Sequence, residues 1–177
     1  MNYGFNKYNF SIHIQIVIVT ASLLLLFAKR RMGLRGKLVA HLEVKCGGEL
    51  FHDHFNTKPH HIPNISDKIN HFGVHEGELG SVGTIIEWRF KYDGGERVAK
   101  QVVDHIDKEK KRISFKFVGG DFVDLYKEFK TTLDVEENWI SWTFEYEKQN
   151  EDVPEPITLL GIAIDVMKDI DSHHHNK

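Results

Sequence analysis

The stretch that decides the fold is TIIEWRFKYDGGERVAKQVV, residues 84–103. Apolar and charged residues alternate along it, so that Ile86, Trp88 and Phe90 share one face and charged side chains occupy the other. Alternation with a period of two predicts a half-buried β-strand. Asp93-Gly94-Gly95 is typical of a tight hairpin turn, and it predicts an antiparallel partner strand over residues 97–106.

The same alternation continues towards the C-terminus. It predicts further strands over residues 113–117, 123–133 and 140–146, with a glycine pair or acidic residues at the turns between them. Links this short require antiparallel neighbours. The segment therefore reads as a meander with one strongly aromatic, apolar face.

The segment before the meander adds one strand and two short helices. Residues 34–44 alternate like a half-buried strand. Residues 49–57 predict a short helix with Phe51 and Phe55 pointing inward. Pro59 and Pro63 interrupt the chain after it, and a second short helix is expected near residues 66–68.

A long amphipathic helix is predicted near the C-terminus, from about Glu155 to His173. Its broad apolar stripe consists of Leu159, Leu160, Ala163, Ile164, Val166, Met167 and Ile170. This stripe and the aromatic face of the sheet must both be buried, and packing one on the other buries both. The sequence therefore predicts an α+β fold in which a curved antiparallel sheet wraps around one long helix.

Three glycines precede the first strand of the meander in HEGELGSVGTIIEW, residues 75–88. Gly77, Gly80 and Gly83 are three apart, which raises the question of a phosphate-binding loop. The Walker motif needs Gly-Lys-Ser/Thr opening a helix, and the dinucleotide motif needs a helix after its glycines. Here a strand follows and the loop contains no lysine. We therefore expect a tight structural connection between two strands rather than a nucleotide site.

Charge and cysteine content narrow the classes of partner and compartment. The 177 residues include 23 basic and 26 acidic ones, and residues 1–31 hold four of the basic residues and no acid. That leaves 19 basic against 26 acidic residues in 32–177, an acidic balance that argues against a nucleic-acid partner. The single cysteine, Cys46, cannot form an internal disulfide.

The first 31 residues differ in character from the rest. Residues 8–28 are uncharged and rich in apolar side chains, and residues 10–28 have about the length of a membrane span. Lys29-Arg30-Arg31 after them would keep the following domain cytoplasmic. Alternatively, MGLRGK from Met32 resembles a natural protein start, and residues 1–31 are then an upstream mis-start. A targeting peptide is the third interpretation. We therefore divide the chain into an extension, 1–31, and a domain, 32–177.

Several motifs in the domain resemble those of the plant major latex proteins. They are MGLRGKLVAHLEVKC (32–46), PHHIPNISDKI (59–69), HEGELGSVGTIIEW (75–88), LYKEFK (125–130), WTFEYEKQNED (142–152) and DIDSHHHNK (169–177). These proteins belong to the birch-pollen-allergen (Bet v 1) superfamily and are related to START-type lipid-transfer domains. The resemblance implies a seven-stranded antiparallel sheet gripping a long C-terminal helix, closed by two short helices.

The resemblance also implies a hydrophobic cavity and a carrier function. Such a cavity takes sterols, fatty acids, hormones or specialised metabolites, and the family is linked to plant defence and stress responses. No cofactor is expected. Inward-facing positions give the candidate cavity residues Phe55, Trp88, Phe90, Ile113, Phe115, Phe117, Phe129, Leu133, Ile140, Trp142, Phe144, Ile157, Leu160, Gly161 and Ile164.

Two other functions stay open. Some relatives, such as norcoclaurine synthase, are enzymes that use a cavity lysine and carboxylates. The strand that would carry that lysine offers Ile113, Phe115 and Phe117 instead, so we expect no catalytic residues. A rim formed by residues 78–82 and 60–63 is a candidate surface for a protein partner.

The 12 histidines do not predict a metal site. His52 and His54 are two apart and diverge on a helix, whereas metal-binding pairs on helices are three or four apart.

Overall fold

The computed structural model describes residues 33–175, which form seven strands and three α-helices. The strands are β1 (Arg35–Glu43), β2 (Ile69–Glu76), β3 (Ile85–Tyr92), β4 (Gly95–Asp107), β5 (Arg112–Gly120), β6 (Tyr126–Val135) and β7 (Trp139–Lys148). The helices are α1 (Gly48–Asn56), α2 (Ile62–Ile65) and α3 (Ile157–His175), and a single 3₁₀ turn spans Pro59–His61.

The strands form one antiparallel sheet in the order β1-β7-β6-β5-β4-β3-β2. Strands β2 to β7 follow one another as a meander, and β1 adds to the far side by pairing with β7, as in the register Leu38↔Phe144. The predicted curved seven-stranded sheet with a long C-terminal helix is confirmed.

Bulges bend the sheet around the helix. Lys100 and Gln101 are consecutive on β4, but their partners on β5 are Gly119 and Phe117, so Val118 is an extra residue. Asp104 is the extra residue on β4 a little further on, and its carboxylate lies 2.6 Å from Lys116 Nζ and 3.1 Å from Lys130 Nζ. A bulge bends its strand and increases the local twist, which allows a sheet to curl over a helix.

The core fills the concave side of the sheet. Its larger part joins α3 to the sheet through residues with almost no exposed surface, such as Met167, Ile170, Leu133 and Ile140. A second cluster under β2 to β5 is formed by Phe72, Ile86, Val103, Ile113 and Phe115. Burial of apolar area at about 25 cal/mol per Å² is the main force that holds helix and sheet together.

Polar contacts fasten the C-terminal half of α3. The Asp171 carboxylate accepts hydrogen bonds from the backbone amides of Lys45 and Cys46, at 2.8 and 2.9 Å, just after β1. The Ser66 hydroxyl donates to the Asp169 carboxylate at 2.5 Å. These bonds set where the last turns of α3 lie against β1 and α2.

Two local predictions were wrong. The second short helix is α2, at Ile62–Ile65, and Ser66 lies at its C-terminal end. Pro63 fits in the first turn of this helix because no amide donor is needed there. The strand expected from residue 123 starts at Tyr126, because the amides of Leu125 and Tyr126 both donate to the Phe122 carbonyl and form a turn.

Within residues 33–175, no helix combines the length and apolar character that crossing a membrane requires. The predicted anchor at residues 10–28, and the whole extension 1–31, lie outside the described residues.

Candidate functional site

An apolar cavity lies between the concave face of the sheet and α3. Its accessible volume is about 90 Å³, which is more than a single water molecule needs. Its wall is formed by Phe55, Ile62, Ile69, Trp88, Phe90, Ala99, Gln101, Phe115, Phe117, Thr131, Trp142, Phe144, Leu159, Ile162, Ala163 and Val166. The wall therefore combines the inner faces of β2 to β7 with one face of α3 and the two short helices.

The predicted cavity residues fall into two groups. In the cavity wall lie Phe55, Trp88, Phe90, Phe115, Phe117, Trp142 and Phe144. Outside it are Ile113, Phe129, Leu133, Ile140, Ile157, Leu160, Gly161 and Ile164. The strand residues of this second group are buried in the core outside the cavity, because the inner face of each strand is longer than the cavity.

The predicted residues on α3 lie outside the cavity wall for a different reason: the helix turns another face to the cavity than the one we expected. It presents Leu159, Ile162, Ala163 and Val166 to the cavity, whereas Ile157 is 64% exposed. Gly161 lies off the wall as well, and a Cβ built there would meet nothing within 4 Å, so close packing does not explain this glycine.

Aromatic rings dominate the cavity wall and its surroundings. Phe55 on α1 packs against Trp142 on β7, with 4.9 Å between ring centroids. Phe117 stacks on Phe129 at 4.5 Å, and Phe72 lies 4.6 Å from Trp88. Rings of this kind give a stiff apolar surface with large contact area per side chain, which is typical of pockets for apolar ligands.

Of the three residues that bring polar groups to the cavity wall, Trp142 was predicted from the sequence, whereas Gln101 and Thr131 were not. Thr131 and Trp142 are 2% and 8% exposed, and the Thr131 hydroxyl and the Trp142 indole N–H have no hydrogen-bond partner. Gln101, 8% exposed, adds an amide. The signal was available, because Gln101 follows Ala99 and Thr131 follows Phe129 at the two-residue spacing of an inner face.

The described part of the cavity wall contains no ionisable side chain. Among the described residues that line it, none is Lys, Arg, His, Asp, Glu or Cys. Cys46 lies elsewhere, and burial together with the neighbouring Asp171 raises the pKa of its thiol to about 12. A thiol with so high a pKa is a poor nucleophile at neutral pH.

The glycine-rich loop connects β2 to β3 in a left-handed backbone conformation. Gly77, Gly80 and Gly83 have φ of 88°, 79° and 90°, which only glycine adopts freely. Its polar groups bond to the protein itself: the Thr84 hydroxyl donates to the Glu78 carbonyl at 2.5 Å, and the Gly83 amide donates to the Val103 carbonyl at 2.8 Å. The three glycines therefore give the loop between β2 and β3 its shape.

A histidine pair joins α1 to the end of α3. His54 Nε2 lies 2.9 Å from His174 Nε2, and the His61 ring centroid is 6.4 Å from that of His54. Burial is the main cause that lowers the pKa of His54 to about 4; His174, His61 and Lys58 lower it further, and Asp53 opposes them. No set of three or more metal-ligating side chains converges within residues 33–175.

This pair predicts a pH dependence of stability. The pKa of His54 is about 4 when folded, below its ordinary 6.5, so between these values the unfolded state binds more protons. The His54 contribution is therefore complete above about pH 6.5 and is lost as the pH falls towards 4. We expect the free energy of unfolding, measured with urea, to decrease as the pH is lowered from about 6.5 to about 4. In His54→Asn this free energy should depend less steeply on pH.

The control for this prediction is His75→Asn, which removes an exposed histidine from β2. It should leave the slope of the wild type unchanged. Equal slopes in wild type and His54→Asn would contradict the assignment to His54.

Taken as a class, a curved sheet closed over a long helix with an apolar cavity between them defines a hydrophobic-ligand-binding fold. The comparisons with known proteins give the family. The profile of the pathogenesis-related protein Bet v 1 family matches residues 33–177, and the chain belongs to this family.

The relatives are major latex proteins and MLP-like proteins. The chain is 40% identical over 145 residues to MLP-like protein 43 of Arabidopsis thaliana, covering 78% of this chain and 92% of that protein. It is 39% identical over 143 residues to MLP-like protein 34 of the same plant, covering 77% of this chain. The match spans only 45% of MLP-like protein 34, less than half its length.

Solved structures agree with the family. Ginseng major latex-like protein 151 from Panax ginseng matches with a TM-score of 0.77 and 37% identity, covering 80% of this chain and 98% of that one. Norcoclaurine synthase from Thalictrum flavum matches with a TM-score of 0.63 at 18% identity, covering 78% and 85%. That second likeness shows the fold alone, and it shows that the fold can serve an enzyme.

Proposed function

We propose that this chain is a non-catalytic binding protein that carries small hydrophobic ligands in the cavity between the sheet and α3. The observation that carries the proposal is the cavity wall, which is apolar and aromatic and contains no ionisable side chain among the described residues. Sterols, fatty acids, hormones and specialised metabolites are the candidate classes from the family, with a role in defence or stress. The domain would act in the cytoplasm, with membrane attachment only through residues 1–31.

The second candidate is an isomerase or synthase that acts on a specialised metabolite in the same cavity. The likeness to norcoclaurine synthase favours it at the level of the fold. Against it stands the lack of an ionisable general acid or base in the described cavity wall. We also propose that the rim at residues 78–82 and 60–63 meets a partner protein; of these residues Val82 is 59% exposed.

The test is native mass spectrometry of the protein purified from its own tissue. A carrier gives a discrete additional mass that is released on denaturation and identified as an apolar metabolite. Titration of the ligand-free protein with an apolar fluorescent probe is the companion measurement. A protein that carries no metabolite and does not bind the fluorescent probe would overturn the proposal. Conversion of the released metabolite to a product by the protein would support the enzyme function instead.

A further inference from the structure

The starting observation is that polar atoms in an apolar cavity lack partners. Buried polar groups in proteins are nearly always hydrogen-bonded, because each unpaired one costs about 1–3 kcal/mol. The Thr131 hydroxyl and the Trp142 indole N–H are both buried and unpaired, and both residues line the same void. Ligand binding would explain why such groups are unpaired in the protein, since a ligand can supply the missing hydrogen-bond partner.

The strand register brings these groups to one region of the cavity wall. Thr131 on β6 pairs with Phe144 on β7, and Trp142 precedes Phe144 by two residues on the same face. Thr131 and Trp142 are thus diagonal neighbours, and the Cβ atoms of such pairs are somewhat less than about 7–8 Å apart. On the other side, Thr131 pairs with Phe115 on β5, and Gln101 on β4 pairs with Phe117 on the same face. Thr131 therefore lies between the other two polar side chains on a diagonal across the concave surface, with Trp142 as its near neighbour and Gln101 on its far side, beyond β5.

The donor and acceptor inventory defines the ligand group. An indole N–H can only donate, a threonine hydroxyl can donate and accept, and a glutamine amide can do both. A ligand that satisfies Trp142 must therefore present an acceptor. A hydroxyl or carbonyl oxygen near Thr131 and Trp142 meets this need, and a hydroxyl can also donate to Thr131 or Gln101.

The charge of the wall excludes ionised ligands. An ionised carboxylate or ammonium loses its hydration on entering an apolar cavity, a large cost unless an opposite charge meets it. No cationic or anionic side chain lines the described wall. The remainder of the surface, from Phe115 and Phe144 to Ile162 and Ala163, is apolar and suits a flat hydrocarbon body.

Resting on the proposed carrier function, we infer that the cavity selects neutral ligands with an apolar ring body and one hydroxyl or carbonyl oxygen. That oxygen accepts a hydrogen bond from the Trp142 indole N–H and bonds with the Thr131 hydroxyl, and Gln101 is a further polar group of the same wall, on the far side of Thr131. Ionised fatty acids are accordingly poor ligands, and neutral ring alcohols or ketones are good ones.

The experiment compares three probes of one shape at pH 7: naphthalene, 2-naphthol, which is neutral, and 2-naphthoate, which is ionised. Dissociation constants come from competition against an apolar fluorescent probe. Each net hydrogen bond should strengthen binding by roughly 2- to 10-fold. We expect 2-naphthol to bind more tightly than naphthalene, and 2-naphthoate to bind at least about 10-fold more weakly than 2-naphthol.

The variants Thr131→Val and Trp142→Phe test which residues are responsible. Thr131→Val keeps the shape of the side chain and removes its hydroxyl. It should therefore weaken the binding of 2-naphthol by roughly 3- to 10-fold and leave the binding of naphthalene unchanged. Thr132→Val is the matched control, because Thr132 is the next residue on β6 and lies on the opposite face. Comparing the two probes within each variant cancels any general effect on folding or cavity shape.

The outcomes separate the two proposals. Loss of the 2-naphthol preference in Thr131→Val and Trp142→Phe, but not in Thr132→Val, supports the inference. If no variant changes the ratio of the dissociation constants of naphthalene and 2-naphthol, the polar site is overturned and the carrier function is retained. Tight binding of 2-naphthoate overturns the selection for neutral ligands. Failure of all three probes, with the protein folded, removes the carrier function and the inference together.

Discussion

We expect Ala163→Phe to weaken the binding of apolar probes by at least about 100-fold while the protein remains folded. Ala163 lies on the cavity face of α3, and a phenyl ring there would occupy the space that a ligand needs. A factor of 100 corresponds to about 2.7 kcal/mol of binding free energy. Titration with an apolar fluorescent probe measures the loss directly.

The stability of the same variant tests whether the space is a cavity. Adding a large side chain to a tightly packed core usually costs about 1–3 kcal/mol, because neighbours must shift. Where a void is present, the ring removes apolar surface from that void, and we expect the free energy of unfolding to change by less than about 1 kcal/mol. Urea denaturation provides this value.

The control for Ala163→Phe is Thr158→Phe, which places the same ring on an exposed position of α3. Probe binding should then equal that of the wild type. If Ala163→Phe lost several kcal/mol of stability, the region facing Ala163 would be filled core and the carrier proposal would lose its main support. If Ala163→Phe bound the probe normally, the probe would occupy a site other than the space facing Ala163.

The sequence predicted the sheet well because local pattern and physical requirement coincide there. Trp88 and Phe90 alternate with charged residues, and the hairpin turn after them forces an antiparallel neighbour. The pairing of β1 with β7 is different, because Leu38 and Phe144 are far apart in the chain and alternation names no partner. The resemblance to major latex proteins implied a seven-stranded antiparallel sheet, but the partner of β1 was not predicted.

The site was predicted less completely, for two physical reasons. Alternation identifies the inner face of a strand but not the position along it where packing stops, so Leu133 and Ile140 were grouped with Phe144 although the core buries them outside the void. The apolar stripe of α3 is broad, so it leaves the rotation of the helix undetermined by tens of degrees. The residues that face the cavity, including Ala163, depend on contacts with Asp169 and Asp171 that no periodicity contains.

The second large effect concerns Gly120, at the end of β5. Its φ is +83°, and a Cβ built on it would lie 2.2 Å from the backbone oxygen of Val98. This geometry lets the Asp121 amide donate to the Val98 carbonyl at 2.8 Å, while the Asp121 carboxylate accepts from the Val98 amide at 2.7 Å. The turn between β5 and β6 is therefore fastened to β4 through a conformation that requires glycine.

We expect Gly120→Ala to lower the free energy of unfolding by about 3 kcal/mol or more. A left-handed conformation alone costs an L-residue roughly 1–2 kcal/mol, and the clash adds to it because a backbone atom of a central strand cannot move aside. Gly119→Ala is the matched control, since a Cβ there would meet only the flexible Lys100 side chain at 3.4 Å. It should change stability by less than about 1 kcal/mol in urea denaturation. Similar losses in both variants would show that the residue type at this strand end matters and the conformation of Gly120 does not.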